Sequence, residues 1–458
     1  MRIDHGTERP RLMTSCSGTF LATIPDELGK RGVCFDMTQI EAAGKGIITD
    51  EMKVVGEREG LSPEYIRKGI YRGKIAVIYD RRRPLSPVGI GPGLKIKVNA
   101  NIGTSCDRCD PGFEVKKARE AEKWGADTLM DLSTFGDISA IRADVIRSVS
   151  IPVGAVPVYQ AATEAKEKYG THLSMKESDL FQIVTAAILE GCSMLTLHCG
   201  IEKRIVRKLS GSRRVMKMTS RGGGILASWM QANDSENPLF KRFDDLLEMA
   251  RSFDTALSLG ASCRAGCIED GADDIHTDEL VNLGKLAKRA RKAGVQVKIE
   301  GPGHLAVHMI GPFIKKAKRL IKGAPLGIMG PIVTDIAPGY DHITLAIGAT
   351  VALLNGADYI CTVYPSEHLG LPELEDIRPG ILAARIAAHA ADIARRPADN
   401  EWDHRMAFAR ASLDWSTQFK EAIDSRTAKS IKERTPSKAE TCSVCGDLCP
   451  HKLFGKSK

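Results

Sequence analysis

KIKVNANIGTSCDRCDPGFEVKKAREAEKWGADTLMDL, residues 95–132, is the stretch on which the fold turns. A short apolar run, KIKVNA, meets a loop rich in Gly, Asp and Pro. An amphipathic segment, FEVKKAREAEKWG, follows, and a second apolar run, DTLMDL, closes the unit. Strand, helix, strand in that order is a right-handed βαβ unit with parallel strands. The pattern recurs outward at VGAVPVY (153–159), SMLTLHC (193–199), VMKMTS (215–220), TALSLG (255–260), VQVKIE (295–300), PLGIMG (325–330) and DYICTVY (358–364). Between the runs lie helical patterns such as LFQIVTAAILEG and ELVNLGKLAKRARKAG. Eight or nine units in one stretch predict a closed α/β barrel, (β/α)8, rather than an open doubly wound sheet.

Residues 95–380 are assigned to this barrel. Residues 1–36 show mixed polarity and little periodicity, and read as a loose extension or as sequence upstream of the true start. Residues 37–94 form a small N-terminal region, opening with the helical TQIEAAGKGIITDEMKVVGEREG. Residues 381–423 carry C-terminal helices. In 424–458 a polar stretch, DSRTAKSIKERTPSKAET, reads as a flexible linker leading to CSVCGDLCP.

The 458 residues are 43% hydrophobic and 27% charged, a globular composition. A net charge of +8 without basic runs interleaved with aromatics argues against nucleic acid as a partner. No apolar run approaches the ~18 residues of a membrane span. The N-terminus has no apolar h-region, which argues against secretion and for a cytoplasmic protein. In that reducing compartment the 12 cysteines are mostly small buried hydrophobes unless clustered at ligand spacing.

One such cluster is Cys442-x2-Cys445-x3-Cys449. Gly446 permits the sharp backbone needed to wrap a metal, and three thiolates leave one iron of a 4Fe–4S cluster open, an arrangement suited to cleaving S-adenosylmethionine. Pro450 after the last Cys fits ferredoxin-type ligation. A zinc knuckle completed by His451 and a redox pair stay open as alternatives. A second pair, Cys106-x2-Cys109, reads as incidental, although its loop on the active face could hold redox-sensitive thiols. The apolar runs end in residues a core would not choose: Asn101, Met130–Asp131, Tyr159, His198, Ser220–Arg221, Arg264, Glu300 and His304. In a barrel these ends meet on one face, where active sites lie. Glu300-Gly-Pro-Gly-His304 turns a carboxylate and an imidazole toward one cavity. With His368 in YPSEHLGLP, two rim imidazoles suggest a divalent metal with open positions. Ser220-Arg221-Gly222-Gly223 sets a guanidinium beside backbone N–H groups, which suits a phosphate or carboxylate.

These strings together resemble the phosphomethylpyrimidine synthase family. The matching pieces are VNANIG (98–103), GADTLMDLST (125–134), VPVYQA (156–161), LHCG (197–200), SRGG (220–223), IEGPGH (299–304), TDIAPGYDHIT (334–344), EHLGLP (367–372), RIAAHAADIA (385–394) and the Cys tail. The resemblance covers roughly residues 37–450. It implies a homodimeric barrel with a 4Fe–4S cluster that cleaves S-adenosylmethionine to a 5′-deoxyadenosyl radical. That radical rearranges 5-aminoimidazole ribotide into a hydroxymethylpyrimidine phosphate for thiamine, with an electron donor such as a ferredoxin or flavodoxin. By the same resemblance Asn101, Met130, Tyr159, His198, Ser220, Arg221, Gly222, Arg264 and Glu300 line the ribotide site. His304 and His368 hold zinc, and Cys442, Cys445 and Cys449 hold the cluster. The tail is expected to swing over a barrel mouth, that of the partner subunit.

Three stretches depart from the family pattern. Gly260–Gly266 reads GASCRAG where Gly-Asp-Gly-Leu-Arg-Pro-Gly is expected, removing a carboxylate. Ala324–Gly327 reads APLG where Ala-Pro-Phe-Tyr is expected, removing a phenol. Thr362–Pro365 reads TVYP where Tyr-Val-Thr-Pro is expected. The Cys spacing is one residue shorter than the commonest form. A paralogue that makes 5-hydroxybenzimidazole from the same ribotide is therefore the alternative reading. A zinc-dependent binding or regulatory module is the alternative of another class.

Overall fold

The computed structural model of the chain describes residues 37–435 and 440–454. The reading of 1–36 as an extension lies outside those residues. Two short strands, β1 (Ala76–Ile78) and β2 (Val88–Ile90), pair antiparallel. Eight more close into a parallel barrel in chain order: β3 (Lys97–Ile102), β4 (Thr128–Asp131), β5 (Val153–Ala155), β6 (Met194–Leu197), β7 (Ala256–Leu259), β8 (Val297–Glu300), β9 (Leu326–Ile328) and β10 (Tyr359–Cys361), which returns to β3. The strands are buried on both faces, as parallel strands under helices must be. The α/β barrel read from the sequence is the fold.

Three local readings are corrected. VMKMTS is not a strand. Its Val215 and Met216 amides donate to the Asp270 carboxylate at 2.8 and 2.7 Å, so no ladder is needed to satisfy them. Ser220 behind it caps a helix, Arg221–Ala232, its Oγ accepting from Gly223 N. The polar stretch taken for a flexible linker forms a helix over Ser425–Arg434, capped by Asp424, which Arg378 Nε also holds at 2.9 Å. The N-terminal helical stretch is two helices, Gln39–Gly44 and Asp50–Glu59, because Thr38 and Thr49 each open a new one.

The N-terminal region docks on the barrel end opposite the strand tips. The Asp254 carboxylate accepts from Gln39 N at 3.0 Å and Tyr79 Oη at 2.6 Å. Gln296 bonds both N and O of Val77 on β1. At the other terminus, a helix over Leu374–Arg395 packs against β3 and against the helix Pro111–Lys123. No helix among the described residues is long and apolar enough to cross a membrane.

Candidate active site

The carboxyl ends of the strands surround a cavity of about 200 Å³. Seven expected residues line it: Asn101, Met130, Tyr159, His198, Arg221, Arg264 and Glu300. Ser220 and Gly222 sit beside it, flanking Arg221. A larger cavity, about 550 Å³, lies at the barrel's other end among Lys95, Lys97, Asp127, Arg385 and Asp392, away from the strand tips where barrel chemistry resides.

Each wall residue is fixed by its element. Asn101, near the end of β3, donates from Nδ2 to Cys361 Sγ at 3.0 Å. Its backbone is pinned by Tyr364, whose Oη donates to Asn101 O at 2.9 Å. Tyr159 comes not from a strand but from the first turn of the helix Pro157–Tyr169, because Pro157 ends β5 and opens that helix. The Arg221 guanidinium lies 5.0 Å from the Tyr159 ring centre. The His198 imidazole is wedged between glycines. A methyl added to Gly222 would collide with it, and one on Gly260 would come within 2.9 Å of Cδ2. Burial pulls the His198 pKa down to about 4, and its Nδ1 has no partner among the described residues. The imidazole is therefore neutral, with one nitrogen free. Burial would push the Glu300 carboxyl up, but the charges of Lys298 and Arg264 with a Ser258 bond hold it below its usual value. Ser258 Oγ donates to Glu300 Oε1 at 3.1 Å. Arg264 donates to Ala261 O at 2.9 Å. In the departing loop, Ser262 and Cys263 amides donate to Glu279, a buried carboxylate that does not line the cavity.

The sequence reading missed Asn99, Thr196, Lys298, Tyr359 and Cys361, all of which line the cavity. A signal was available. Strand side chains alternate faces, so each residue two positions before an inward strand-tip residue also points inward. Asn99 precedes Asn101, Thr196 precedes His198 and Lys298 precedes Glu300 by two. The Cys361 thiol, pushed up to about 11 by burial, stays protonated.

His304 and His368 stand at the rim, outside the lining. Their Nε2 atoms are 3.3 Å apart. His304 Nδ1 pairs with Asp335 Oδ1 at 2.7 Å, and His368 Nδ1 with Asp341 Oδ1 at 2.9 Å. Two nitrogens at ~2.0–2.1 Å from a tetrahedral metal lie ~3.3 Å apart, and carboxylates on the far ring nitrogens are the usual support for such ligands. The pair fits a divalent metal. No third His, Cys, Asp or Glu joins it among the described residues, which leaves positions for substrate or water.

The three tail cysteines share one turn, with Gly446 in the left-handed region at φ 52° and its amide donating to Cys442 O at 3.0 Å. Amide donors from Cys445 and Val444 lower the Cys442 pKa, favouring a thiolate. The thiols do not converge into a ready cage. The donor set suits an iron–sulfur cluster, and such sites are seldom preformed without their metal. The turn is tethered to the C-terminal helices: Trp415 Nε1 donates to Glu440 O and Lys432 Nζ to Thr441 O. No tail residue among those described lines the cavity.

The Radical SAM ThiC family matches residues 38–456. The chain belongs to that family. It is also 46% identical over 419 residues to the phosphomethylpyrimidine synthase of Thermococcus kodakarensis, covering 91% of this chain and 98% of that protein. Those of Methanocaldococcus jannaschii (47% over 415 residues, 90% and 97%) and Desulforamulus reducens (48% over 423 residues, 92% and 98%) are alike. As a member of the Radical SAM ThiC family the chain is an enzyme, and membership implies S-adenosylmethionine and an iron–sulfur cluster.

Proposed function

We propose that the chain is a radical S-adenosylmethionine lyase that rearranges 5-aminoimidazole ribotide to 4-amino-2-methyl-5-phosphomethylpyrimidine, the thiamine pyrimidine. The observation that carries this reading is the convergence of an ionised Glu300, a neutral His198 and the Arg221 helix start on one closed-ended cavity, in a chain 46–48% identical to synthases of that name.

The Ser220-capped helix start offers amides and the Arg221 guanidinium to the phosphate. This orients the heterocycle inward. There Glu300 accepts from its amino group, and the free nitrogen of His198 completes a hydrogen bond. A 4Fe–4S cluster on Cys442, Cys445 and Cys449 supplies, when bound, the electron for reductive cleavage of S-adenosylmethionine. His304 and His368 hold a divalent metal, zinc by family resemblance, whose chemistry at the rim is to orient and polarise a ligand. Covering the barrel mouth would exclude water from the radical.

A second copy of the chain is part of this reading. Ile336, Tyr340, Ile343 and Ile347 are all exposed on the first turns of the helix Asp341–Leu354 and the loop before it, apolar residues that suit a homodimer contact.

The test is anaerobic reconstitution of the full chain with iron, sulfide, S-adenosylmethionine, a strong reductant and the ribotide. Expected are 5′-deoxyadenosine and the pyrimidine phosphate by mass spectrometry. A full cluster without deoxyadenosine overturns the reading. Gly327, where Tyr359 and Lys298 fill the space a side chain would take, favours one second reading, the 5-hydroxybenzimidazole paralogue, and that product in the same assay decides for it.

A further inference from the structure

Below Glu300, one layer deeper in the barrel, the floor of the cavity carries a cation. Lys298 on β8 is 2% exposed and lines the cavity. Its nearest anionic partner is Glu300 Oε1 at 3.8 Å, outside hydrogen-bond length, and the ammonium sits 4.6 Å from the Tyr359 ring centre. Tyr359 Oη is engaged elsewhere, 2.6 Å from Thr128 Oγ1. An ammonium has three donors, and among the described residues these contacts leave them short of acceptors in a place where an unsatisfied charge is costly. The room for it comes from the neighbouring strand. Gly327 pairs in register with Glu300, and a methyl placed on Gly327 would come within 3.3 Å of Lys298 Nζ and 3.1 Å of the Tyr359 ring. A large side chain at 327 and this ammonium exclude each other.

We propose that Lys298 is a specificity-determining residue: its ammonium, in the space Gly327 leaves open, donates to an acceptor atom on the innermost edge of the bound heterocycle. The ligand class follows from the geometry. With the phosphate held at the helix start near the mouth, the part that reaches the floor is the ring, and a ring nitrogen or carbonyl oxygen there meets a cation rather than an apolar wall. This rests on the ribotide reading above.

The experiment is calorimetric titration of the full chain with 5-aminoimidazole ribotide and, separately, with ribose 5-phosphate, which carries the anchor without the ring. Lys298→Met removes the ammonium at similar volume. Gly327→Ala keeps every charge and crowds the ammonium, so it guards against an effect routed through Glu300 or a failure of the first variant to fold. The loss of one charge-assisted hydrogen bond predicts ribotide binding weakened about 10- to 100-fold in Lys298→Met. Gly327→Ala weakens it in the same direction, and ribose 5-phosphate binding is unchanged in both. Equal loss for both ligands, or ribotide binding as tight as wild type in Lys298→Met, overturns the proposal. Wild-type protein that binds ribose 5-phosphate but gains nothing from the ring overturns the ribotide reading itself, and the proposal falls with it.

Discussion

His304 and His368 face each other through Nε2 while aspartates hold both Nδ1 atoms. A ring nitrogen bonded this way has its tautomer fixed, leaving Nε2 with a lone pair for metal. Asp335 does this for His304 and also accepts from Ile268 N at 2.8 Å, so it ties the ligand to the loop after β7. Asp335→Asn is expected to lower zinc affinity about 10- to 100-fold, measured by competition with a chromogenic chelator, without altering the fold. Unchanged affinity would mean the pair does not ligate. These two histidines were legible because each follows an apolar run and is flanked by turn-forming residues. Cys361 was not, because it precedes no inward strand-tip residue by two and its strand is buried on both faces, and Lys298 was legible only by counting back two from Glu300. Lys298 also looks like an ordinary surface lysine until β9 is seen to leave a gap at Gly327.

At the scale of elements, the barrel was legible because its units repeat and each apolar run is bounded by turn residues. Where the reading failed, the Asp270 carboxylate had taken up the amides of 215–216, and Pro157, which has no N–H for a strand ladder, had opened a helix. The same logic governs how the N-terminal region docks. Asp254 sits in left-handed backbone at φ 50°, and burial raises its carboxyl to about 7 against bonds from Tyr79 and Gln39 and the charge of Arg81. The unfolded value is near 4. Between about pH 4 and 7 the folded chain therefore holds a proton that the unfolded chain has released, and stability falls as pH rises through that window. Asp254→Asn keeps an acceptor without the titration. Its melting temperature is expected to decline less than that of wild type between pH 4.5 and 7.5. Parallel curves for the two proteins would remove Asp254 from the account.

For the whole molecule, the question is which mouth the cysteine tail serves. Trp415 and Lys432 tether its turn to the C-terminal helices, and Lys432 also stacks on Trp415, 4.5 Å from the ring centre. None of Cys442, Cys445 or Cys449 reaches the cavity of its own chain. If the apolar patch around Ile343 and Ile347 joins two copies, a tail could act in trans across the two-fold interface. Subunit mixing tests this. One parent carries Cys442, Cys445 and Cys449 all changed to Ala, and the other carries Glu300→Gln; each alone is expected to be inactive. Service in trans leaves one complete site in each mixed dimer, because the intact tail of the Glu300→Gln chain meets the intact cavity of its partner. Random reassortment of equal amounts should then restore roughly a quarter of wild-type turnover, scored as pyrimidine product after anaerobic mixing. Service in cis restores none, since no chain holds both an intact cavity and a cluster. A mixture that stays inactive, though mass measurement shows mixed dimers, would place the tail over its own barrel and require the tether at Trp415 to release.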